Sequence, residues 1–211
     1  MEIFYLKEVD STHTYLKNYI KNYSYKNAIA VVTQNQTNGI GSRSNIWEGV
    51  NGNLFFSFVI HKSMLPQDLP LQSSSIYFSY ILKDLLASLG SKVWLKWPND
   101  FYIDDKKIGG TITNFSNELL YCGIGLNLNF VNEDFGNLDI ELNINKHLNL
   151  YFHEVESKIS WKRIFSKYTI EFKKSKRMET TINNQKISLE QSVLNSDGSI
   201  YIDNKKVFSL R

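Results

Sequence analysis

The sequence predicts an α/β protein in which helices flank a mixed β-sheet and a small β segment follows at the C-terminus. Two observations carry this prediction. Apolar runs of strand length alternate with longer amphipathic stretches through the first 130 residues. Residues 178–211 instead consist of short alternating runs separated by turn dipeptides. We therefore expect a main domain over residues 1–175 and a small β cap over residues 176–211.

The first half of the chain is expected to hold three strands and two helices. Asp10-Ser11-Thr12 offers capping oxygens to a first helix, whose apolar residues recur on one face as far as Tyr23. A longer helix is predicted over residues 72–89 and stops at Gly90, a common helix terminator. The strands are predicted over residues 3–9, 28–33 and 54–60.

The second half begins with a short strand over residues 93–96, which leads into Trp97-Pro98-Asn99-Asp100. A hairpin then turns at Asp104-Asp105. The asparagine-rich residues 131–150 carry no pattern that we can assign. The remaining predictions are strands over residues 106–114 and 118–130, a helix over residues 155–172, and turns at Asn183-Asn184, Asp197-Gly198 and Asp203-Asn204.

Composition excludes several classes of protein. The chain has 211 residues, of which 42% are hydrophobic, 14% aromatic and 21% charged, so it can bury a substantial core and is not intrinsically disordered. The single cysteine, Cys122, excludes a disulfide scaffold. No signal-peptide pattern opens the chain, and the longest apolar runs are too short to span a membrane. We therefore expect a cytoplasmic protein that does not bind membranes.

The net charge of +3 is too small to predict nucleic-acid binding, but its distribution is uneven. Residues 1–150 hold 12 basic and 14 acidic side chains, whereas residues 151–211 hold 12 and 7. Residues 158–177 alone contain eight basic side chains and one acid, Glu171. Such a run is usually the solvated face of a helix, and the alternative is electrostatic steering of an acidic partner.

Three segments combine glycines, amides and charge at strand ends, which is where open sheets with helices hold ligands. In the first, residues 36–47, Gly39 and Gly41 allow backbone amides to approach an anion closely. This segment lacks the lysine ending of a Walker loop and the third glycine of a dinucleotide fingerprint. An ordinary surface loop is therefore the competing interpretation.

The second segment is Lys96-Trp97-Pro98-Asn99-Asp100 with Lys107-Ile108-Gly109-Gly110 after it. Pro98 ends the strand, and Lys107 can reach a ligand that lies against bare glycine backbone. A solvated hairpin with a lysine pair at its tip is the alternative. The third segment, Gly123-Ile124-Gly125-Leu126-Asn127, is also compatible with tight backbone packing that ends in a structural turn.

Taken together, these segments resemble the motifs of the biotin–protein ligases and occur in that family's order over residues 10 to about 130. The matching segments are Asp10-Ser11-Thr12, Gly39 to Trp47, Gly52-Asn53-Leu54, Lys96 to Gly110, and Gly123 to Asn127. The resemblance implies the fold shared by class II aminoacyl-tRNA synthetases and biotin/lipoate ligases, with an SH3-like C-terminal cap that would be reduced here. It also implies the short monofunctional type, because the motif at Ser11 leaves no room for an N-terminal DNA-binding domain.

The activity implied by the resemblance joins biotin to ATP, giving biotinyl-5′-AMP and pyrophosphate, and then transfers biotin to a lysine of a carrier protein. Biotin, ATP and Mg²⁺ are the implied ligands, with Mg²⁺ held mainly by phosphate and water. The catalytic residues carried over are Lys107 and Arg43. Biotin contacts fall on Ser11, Thr12, Gln36, Gly39, Ile40, Gly41, Ser42, Lys107 and Gly110. Nucleotide contacts fall on Arg43, Trp47, Asn99, Asp100 and Asn127.

The glycine loop departs from the family pattern. The family usually reads Gly-Arg-Gly-Arg-x-Gly-Arg-x-Trp, and here Ile40, Ser42 and Asn45 occupy the arginine positions while Arg43 stands one place along. We hypothesise that Arg43 takes over a phosphate or carboxylate contact. The alternative is that Arg43 faces solvent and Lys107 supplies the charge alone. Unchanged adenylate formation in Arg43→Ala would contradict the hypothesis that Arg43 makes the phosphate or carboxylate contact of the missing loop arginines.

Three other functions compete with the ligase. A lipoate or octanoate transferase shares the fold but lacks the Lys-Trp-Pro-Asn-Asp segment. A biotin-responsive repressor needs a helix-turn-helix before the catalytic domain. A catalytically inactive binding module is the third alternative, disfavoured by Lys107 and kept open by the arginine-poor loop. The partner implied for the ligase is the biotin carboxyl carrier subunit of acetyl-CoA carboxylase or another biotin-dependent carboxylase; DNA is not expected, and a homodimer is left open.

Overall fold

A computed structural model describes residues 1–41, 46–47, 50–182 and 185–208. The helices are α1 (Thr12–Tyr23), α2 (Ser74–Ser88), α3 (Ile144–Glu156) and α4 (Trp161–Ser175), with short 3₁₀ turns at Lys62–Met64 and Leu71–Ser73. In chain order the strands are β1 (Glu2–Leu6), β2 (Ile29–Thr33), β3 (Gly39–Ile40), β4 (Ile46–Trp47), β5 (Leu54–His61), β6 (Trp94–Lys96), β7 (Asp100–Ile103), β8 (Lys106–Ser116), β9 (Leu119–Leu126), β10 (Glu179–Ile182), β11 (Gln185–Ser188), β12 (Val193–Leu194), β13 (Ile200–Ile202) and β14 (Lys205–Val207).

The centre of the molecule is a seven-stranded sheet in the order β1-β2-β5-β9-β8-β7-β6. Its strands β1 and β2 run parallel, and every other neighbouring pair is antiparallel. Helices α2, α3 and α4 cover one face of this sheet, and α1 covers β2, β5 and β9 on the other face. The predicted mixed sheet flanked by helices is therefore confirmed.

Successive side chains of β5 divide between the two faces, as the pleat of a strand requires. Phe56 and Phe58 point to the α2–α3 side, where the ring of Phe58 packs edge-on against Phe78 and Phe152. Phe55 and Ser57, the alternate residues of the strand, point to the α1 side instead. Helix α1 covers only part of that second face, and the rest is open to a cavity described below.

The start of α1 follows the prediction closely. Ser11 is the N-cap residue, and its hydroxyl accepts a hydrogen bond from the backbone N–H of Thr14 at 3.4 Å. A side-chain oxygen at this position satisfies one of the donors that the first helical turn leaves free. The carboxylate of Asp10 accepts a bond from the Ser11 N–H at 2.7 Å, so the local sequence sets the point at which the helix begins.

The single helix predicted over residues 155–172 is wrong, because the chain forms α3 and α4 with a break between them. Lys158 has a φ of 53°, a left-handed conformation that interrupts the helix. Helix α4 then starts afresh at Ser160, whose hydroxyl caps it. The carboxylate of Asp68, distant in sequence, accepts bonds from the N–H groups of Trp161 and Lys162, both at 2.9 Å. A long-range cap of this kind has no signal in local periodicity.

Two strand boundaries also differ from the prediction. The strand predicted over residues 118–130 ends at Leu126. The N–H of Asn127 still donates to the carbonyl of Ile108 in β8, but the carbonyl of Asn127 accepts a bond from the N–H of Leu138 instead of extending the sheet. The strand predicted over residues 3–9 ends at Leu6. Residues 131–150, which had no assigned pattern, contain an irregular segment and the first half of α3.

The C-terminal segment forms a two-stranded sheet, β10-β11, and a three-stranded sheet, β12-β13-β14. Two buried tryptophans attach it to the end of β6 and to the start of α4. The indole N–H of Trp97 donates to the carbonyl of Gly198 at 3.0 Å, and that of Trp161 donates to the carbonyl of Ser196 at 2.8 Å. The turn expected at Asn183-Asn184 lies outside the described residues. None of the helices in the described parts of the chain is long and apolar enough to cross a membrane.

Candidate active site

A cavity of about 270 Å³ opens on the α1 side of the sheet, near the lower end of the ~300–1,000 Å³ typical of small-molecule sites. It lies between the start of α1, the loop that follows β2, strands β5, β8 and β9, and the segment after β9. Many residues predicted from the sequence line it together: Ser11, Thr12, Gln36, Ile40, Gly41, Trp47, Asn99, Asp100, Lys107, Gly110 and Asn127.

Of the predicted residues that the structure describes, Gly39 alone is not among those lining the cavity. Gly39 is buried beside it, where a Cβ would come within 2.6 Å of the Trp47 carbonyl oxygen, so its role there is close backbone packing. Ser42 and Arg43 lie outside the described residues, and the roles proposed for them stay predictions. Gly123, Ile124 and Gly125, which belong to the third glycine-bearing segment noted in the sequence, also line the cavity. The sequence did not indicate the remaining lining residues: His13, Phe55, Ser57, Thr111, Ile112, Val131 and Phe135.

Two rows of residues cross the sheet beneath the cavity. In the first row, Gly123 of β9 pairs with Ser57 on one side and Ile112 on the other. In the second row, Gly125 pairs with Phe55 and Gly110. The rows are two residues apart along β9, about 7 Å. Alternation within β5 and β9 was the available signal for Ser57 and Phe55, because it places them on the glycine face.

The first row forms a polar end of the cavity. The backbone N–H of Thr12 donates to Gln36 Oε1 at 2.9 Å, and the hydroxyls of Thr12 and Ser57 lie 2.9 Å apart. Gln36 reaches this position because residues 37 and 38 donate backbone bonds to the carbonyls of Val9 and Asp10. Both contacts of Gln36 fall on its carbonyl oxygen, which leaves the amide NH₂ as the donor end of the side chain.

The second row forms a charged end. Lys107 Nζ lies 2.7 Å from Asp100 Oδ1 and 5.6 Å from the ring centre of Trp47. The indole of Trp47 rests on bare backbone, since a Cβ on Gly125 would come within 3.0 Å of its Cε2 atom. A larger residue at position 125 would therefore displace the tryptophan.

A β-bulge directs Lys107 into the cavity. Lys107 and Gly110 are three residues apart and would face opposite sides of a regular strand. The pairing of β7 with β8 shifts between Phe101 and Tyr102, which adds one residue to β8 at this point. Such a shift re-aims the side chains beyond it. The bulge places the Lys107 ammonium on the same face of the sheet as Gly110, where it contacts the carboxylate of Asp100.

The two predicted asparagines lie at the cavity wall with their amides already engaged. Asn99 donates to the carbonyl of Thr111. Asn127 is 2% exposed, donates to the carbonyl of Gly136 at 3.1 Å and accepts from Asn53 at 3.4 Å. These bonds position the backbone around the cavity, and contact between either asparagine and a nucleotide stays a prediction.

Asn53 is a positioning residue that holds the segment after β9. It is fully buried, and its Oδ1 accepts bonds from the N–H groups of Leu128 and Asn129, both at 2.9 Å. The same segment returns to β8, where the Gly136 N–H donates to the Lys107 carbonyl at 2.9 Å. Asn53 therefore supports the wall next to the cavity's lysine.

Two polar atoms in the wall are buried without a hydrogen-bond partner among the described residues, His13 Nδ1 and Trp47 Nε1. Burial, reinforced by the positive charge of Lys17, lowers the pKa of His13 to about 4, so the imidazole is neutral near pH 7. The parts of the chain that the structure describes contain no group of three or more His, Cys, Asp or Glu side chains arranged to hold a metal ion.

The arrangement suits an elongated organic acid. Hydrogen-bonding groups stand at one end, an ammonium group at the other, and apolar side chains such as Phe55, Ile112 and Phe135 line the space. A carboxylate beside Lys107 would be stabilised against an approaching anion. The cavity can therefore hold an acid by its neutral polar end and present its carboxylate for activation.

Comparison with known proteins agrees with these features. The model of the Biotin/lipoate A/B protein ligase family matches residues 5–129. The bifunctional ligase/repressor BirA of Bacillus spizizenii is 30% identical over 110 residues, which are 50% of this chain and 34% of that protein. The match thus spans about a third of the curated relative's length.

Solved structures match over nearly the whole chain. Biotin acetyl coenzyme A carboxylase synthetase from Helicobacter pylori, with bound biotinylated ATP, is 38% identical with a TM-score of 0.93, covering 98% of this chain and 99% of that one. Biotin protein ligase from Aquifex aeolicus, in complex with biotin and ATP, has a TM-score of 0.70 at 22% identity, covering 100% and 96%; this second likeness shows the fold alone. With more than half of its residues matched by the family model, the chain belongs to the biotin/lipoate A/B protein ligase family.

Proposed function

We propose that the protein is an ATP-dependent biotin–protein ligase. One observation carries the proposal: a single cavity joins the Thr12–Gln36–Ser57 polar cluster to the Lys107–Asp100 ion pair through an apolar wall. The sequence motifs at both ends match those of biotin ligases. The likeness to the Helicobacter pylori synthetase, whose structure holds biotinylated ATP, supports the same function.

Biotin has three parts that correspond to the three parts of the cavity. Its ureido group needs both donors and acceptors, which the Gln36 amide and the Thr12 and Ser57 hydroxyls supply. Its aliphatic chain lies against apolar side chains such as Phe55 and Ile112. Its carboxylate then meets the ammonium of Lys107 beside Gly110.

In the first step a biotin carboxylate oxygen attacks the α-phosphorus of ATP, and the bond to the bridging oxygen breaks to release pyrophosphate. Two anions must approach each other, and a cation about 4 Å from the carboxylate contributes roughly 4 kcal/mol at an effective dielectric of 20. Lys107 supplies that cation, and Asp100 holds its Nζ atom at 2.7 Å beside bare glycine backbone. In the second step a lysine amine of the carrier attacks the acyl carbon, forming an amide and releasing AMP and a proton.

Mg²⁺ is part of the proposal as the ion that accompanies ATP. Asp100 is the carboxylate among the described cavity residues, and it already pairs with Lys107. From the described residues, the chain would then contribute one carboxylate at most next to the phosphates, with phosphate and water oxygens as the main ligands, as Mg²⁺ commonly prefers. The neutralising effect of the ion would add to that of Lys107.

The carrier is proposed to be the biotin carboxyl carrier subunit of acetyl-CoA carboxylase or of another biotin-dependent carboxylase. This partner, together with the use of ATP, favours a cytoplasmic location for the protein. The basic run over residues 158–177 lies largely on α4, and all eight of its basic residues are exposed. Lys167 pairs with Asp84, and Arg177 pairs with Asp105. These two ion pairs reduce the net positive charge of the surface formed by residues 158–177. Steering of an acidic carrier by this surface stays a prediction, as does a homodimer.

The test is ATP–pyrophosphate exchange with biotin, lipoate or octanoate, using wild type, Lys107→Ala and Lys106→Ala. Lys106 is an exposed neighbour outside the cavity lining and is the matched control. We expect exchange with biotin alone, a loss of about 10²- to 10³-fold in Lys107→Ala, and normal activity in Lys106→Ala. Exchange that responds to lipoate instead, or equal activity in the two variants, would overturn the proposal.

A further inference from the structure

His13 is a buried polar residue that the mechanism above leaves unused. It lies in the first turn of α1, is 7% exposed, and lines the cavity. Its Nδ1 atom is buried with no hydrogen-bond partner among the residues that the structure describes. Leaving a polar atom buried and unpaired destabilises the folded protein, so an unpaired nitrogen in a cavity wall points to a partner supplied by a ligand.

The unpaired nitrogen faces the space that a missing side chain leaves open. A Cβ atom on Gly123 would lie 3.3 Å from His13 Nδ1, 3.1 Å from Ser57 Oγ and 3.2 Å from Ile112 Cγ1. We call this space the Gly123 niche. Two of its three walls are polar, and the Ser57 hydroxyl already lies 2.9 Å from that of Thr12. The imidazole nitrogen is thus aimed at the polar end of the cavity.

The protonation state of His13 decides which ligand group it can bind. Its low pKa keeps the ring neutral near pH 7, and a neutral imidazole has one nitrogen that accepts a hydrogen bond. Gln36 presents an amide donor at this end of the cavity. An acceptor at Nδ1 therefore supplies the complementary function.

We propose that His13 is a substrate-binding residue whose Nδ1 accepts a hydrogen bond from a ureido N–H of biotin seated in the Gly123 niche. This inference rests on the proposed function, because it names biotin as the occupant. The ureido group offers two N–H donors and one carbonyl acceptor, so the amide of Gln36 and the imidazole of His13 take opposite ends of it. Biotin binding then satisfies a nitrogen that has no hydrogen-bond partner in the described part of the chain.

His13→Leu tests the inference by calorimetric titration with biotin and by thermal unfolding. We expect Kd for biotin to rise about fivefold to tenfold, equivalent to about 1.0–1.4 kcal/mol, with KM for ATP unchanged. We also expect Tm of the free protein to hold or rise, since leucine removes a buried unpaired atom. Loss of affinity without loss of stability is the signature of a binding role.

His147→Leu is the matched control. His147 Nδ1 is also buried without a partner among the described residues, but His147 does not line the cavity. Its substitution should leave biotin affinity unchanged. A second measurement on wild type follows the ¹⁵N resonance of His13 Nδ1, which should move on addition of biotin and stay in place on addition of ATP alone.

The outcomes separate the two proposals. If wild type binds no biotin, the proposed function fails and this inference fails with it. If wild type binds biotin but His13→Leu binds equally well, or if the Nδ1 resonance does not respond to biotin, only the role of His13 is overturned. If His13→Leu lowers both Tm and biotin affinity, the Nδ1 resonance of wild type decides: a shift on addition of biotin supports the role of His13, and no shift overturns it.

Discussion

The two faces of the central sheet use the same strands for different purposes. On the α2–α3 face, β5 presents Phe56 and Phe58, which pack edge-on against aromatic rings of α2 and α3. On the α1 face, the same strand presents Phe55 and Ser57 to a cavity.

Strand β9 alternates in the same way. Cys122 and Ile124 belong to the core, whereas Gly123 and Gly125 leave room above the sheet. Side chains fill the space above one face of the sheet, and glycines leave the space above the other face open. The comparison teaches that stability and binding are encoded at alternating positions of the same strands, so substitutions on the two faces should affect different measurements.

The largest effect is expected on the core face. Phe58 is fully buried and contacts three aromatic rings, so Phe58→Ala should lower the free energy of unfolding by about 3–5 kcal/mol. For a chain of this size the fall in Tm is about 6–20 °C. Thermal unfolding measures it, and KM for biotin in the folded fraction should not change. A change in KM at constant Tm would break the division between the faces.

On the cavity face we expect a smaller effect of the opposite kind, in which KM for biotin changes and Tm does not. Gly123→Ala places a methyl group 3.1 Å from Ser57 Oγ and 3.3 Å from His13 Nδ1, contacts that neighbours can relieve by small shifts. The methyl group fills the Gly123 niche, so KM for biotin should rise about tenfold, equivalent to about 1.4 kcal/mol. Tm should change little. Unaltered biotin kinetics would show that this part of the cavity stays empty during the reaction.

The smallest effect concerns pH and lies on the core side, at the start of α4. Burial acts to raise the pKa of Asp68, but backbone bonds from Lys162 and Trp161 outweigh it and hold the pKa below its usual value. A depressed pKa contributes stability above the unfolded value near 3.8, and this contribution is lost as pH falls through the folded value. Asp68→Asn should therefore flatten the decline of Tm below about pH 4. An equal decline of Tm at low pH in wild type and Asp68→Asn would contradict this role of the Asp68 carboxylate.

Much of the fold could be predicted from the chain itself. Ser11 caps α1, and the hairpin turns at Asp104-Asp105 as expected. The failures share a cause: the break between α3 and α4 depends on Asp68, which is far away in sequence. Similarly, the strand that was expected to reach residue 130 ends at Leu126, because the segment after it bonds to Leu138 and to the side chain of Asn53.

The candidate site shows the same limit. Sequence motifs indicated Thr12, Gln36, Asp100 and Lys107, and the structure brings all four to one cavity. They did not indicate His13, because nothing in a helical pattern distinguishes a histidine facing a cavity from one facing a core. Val131 and Phe135 were also missed, since they come from an irregular segment whose place is set by Asn53.

The sequence by itself determined the residue types and the order of the motifs, and with them the family and the kind of chemistry, because these are properties of short segments. Only the tertiary structure decided how those segments face one another. A bulge in β8 turns Lys107 toward Asp100, and backbone pairing before α1 brings Gln36 to Thr12. Both depend on the register between strands and loops distant in sequence. Register is a property of the pairing, so neither segment carries it alone.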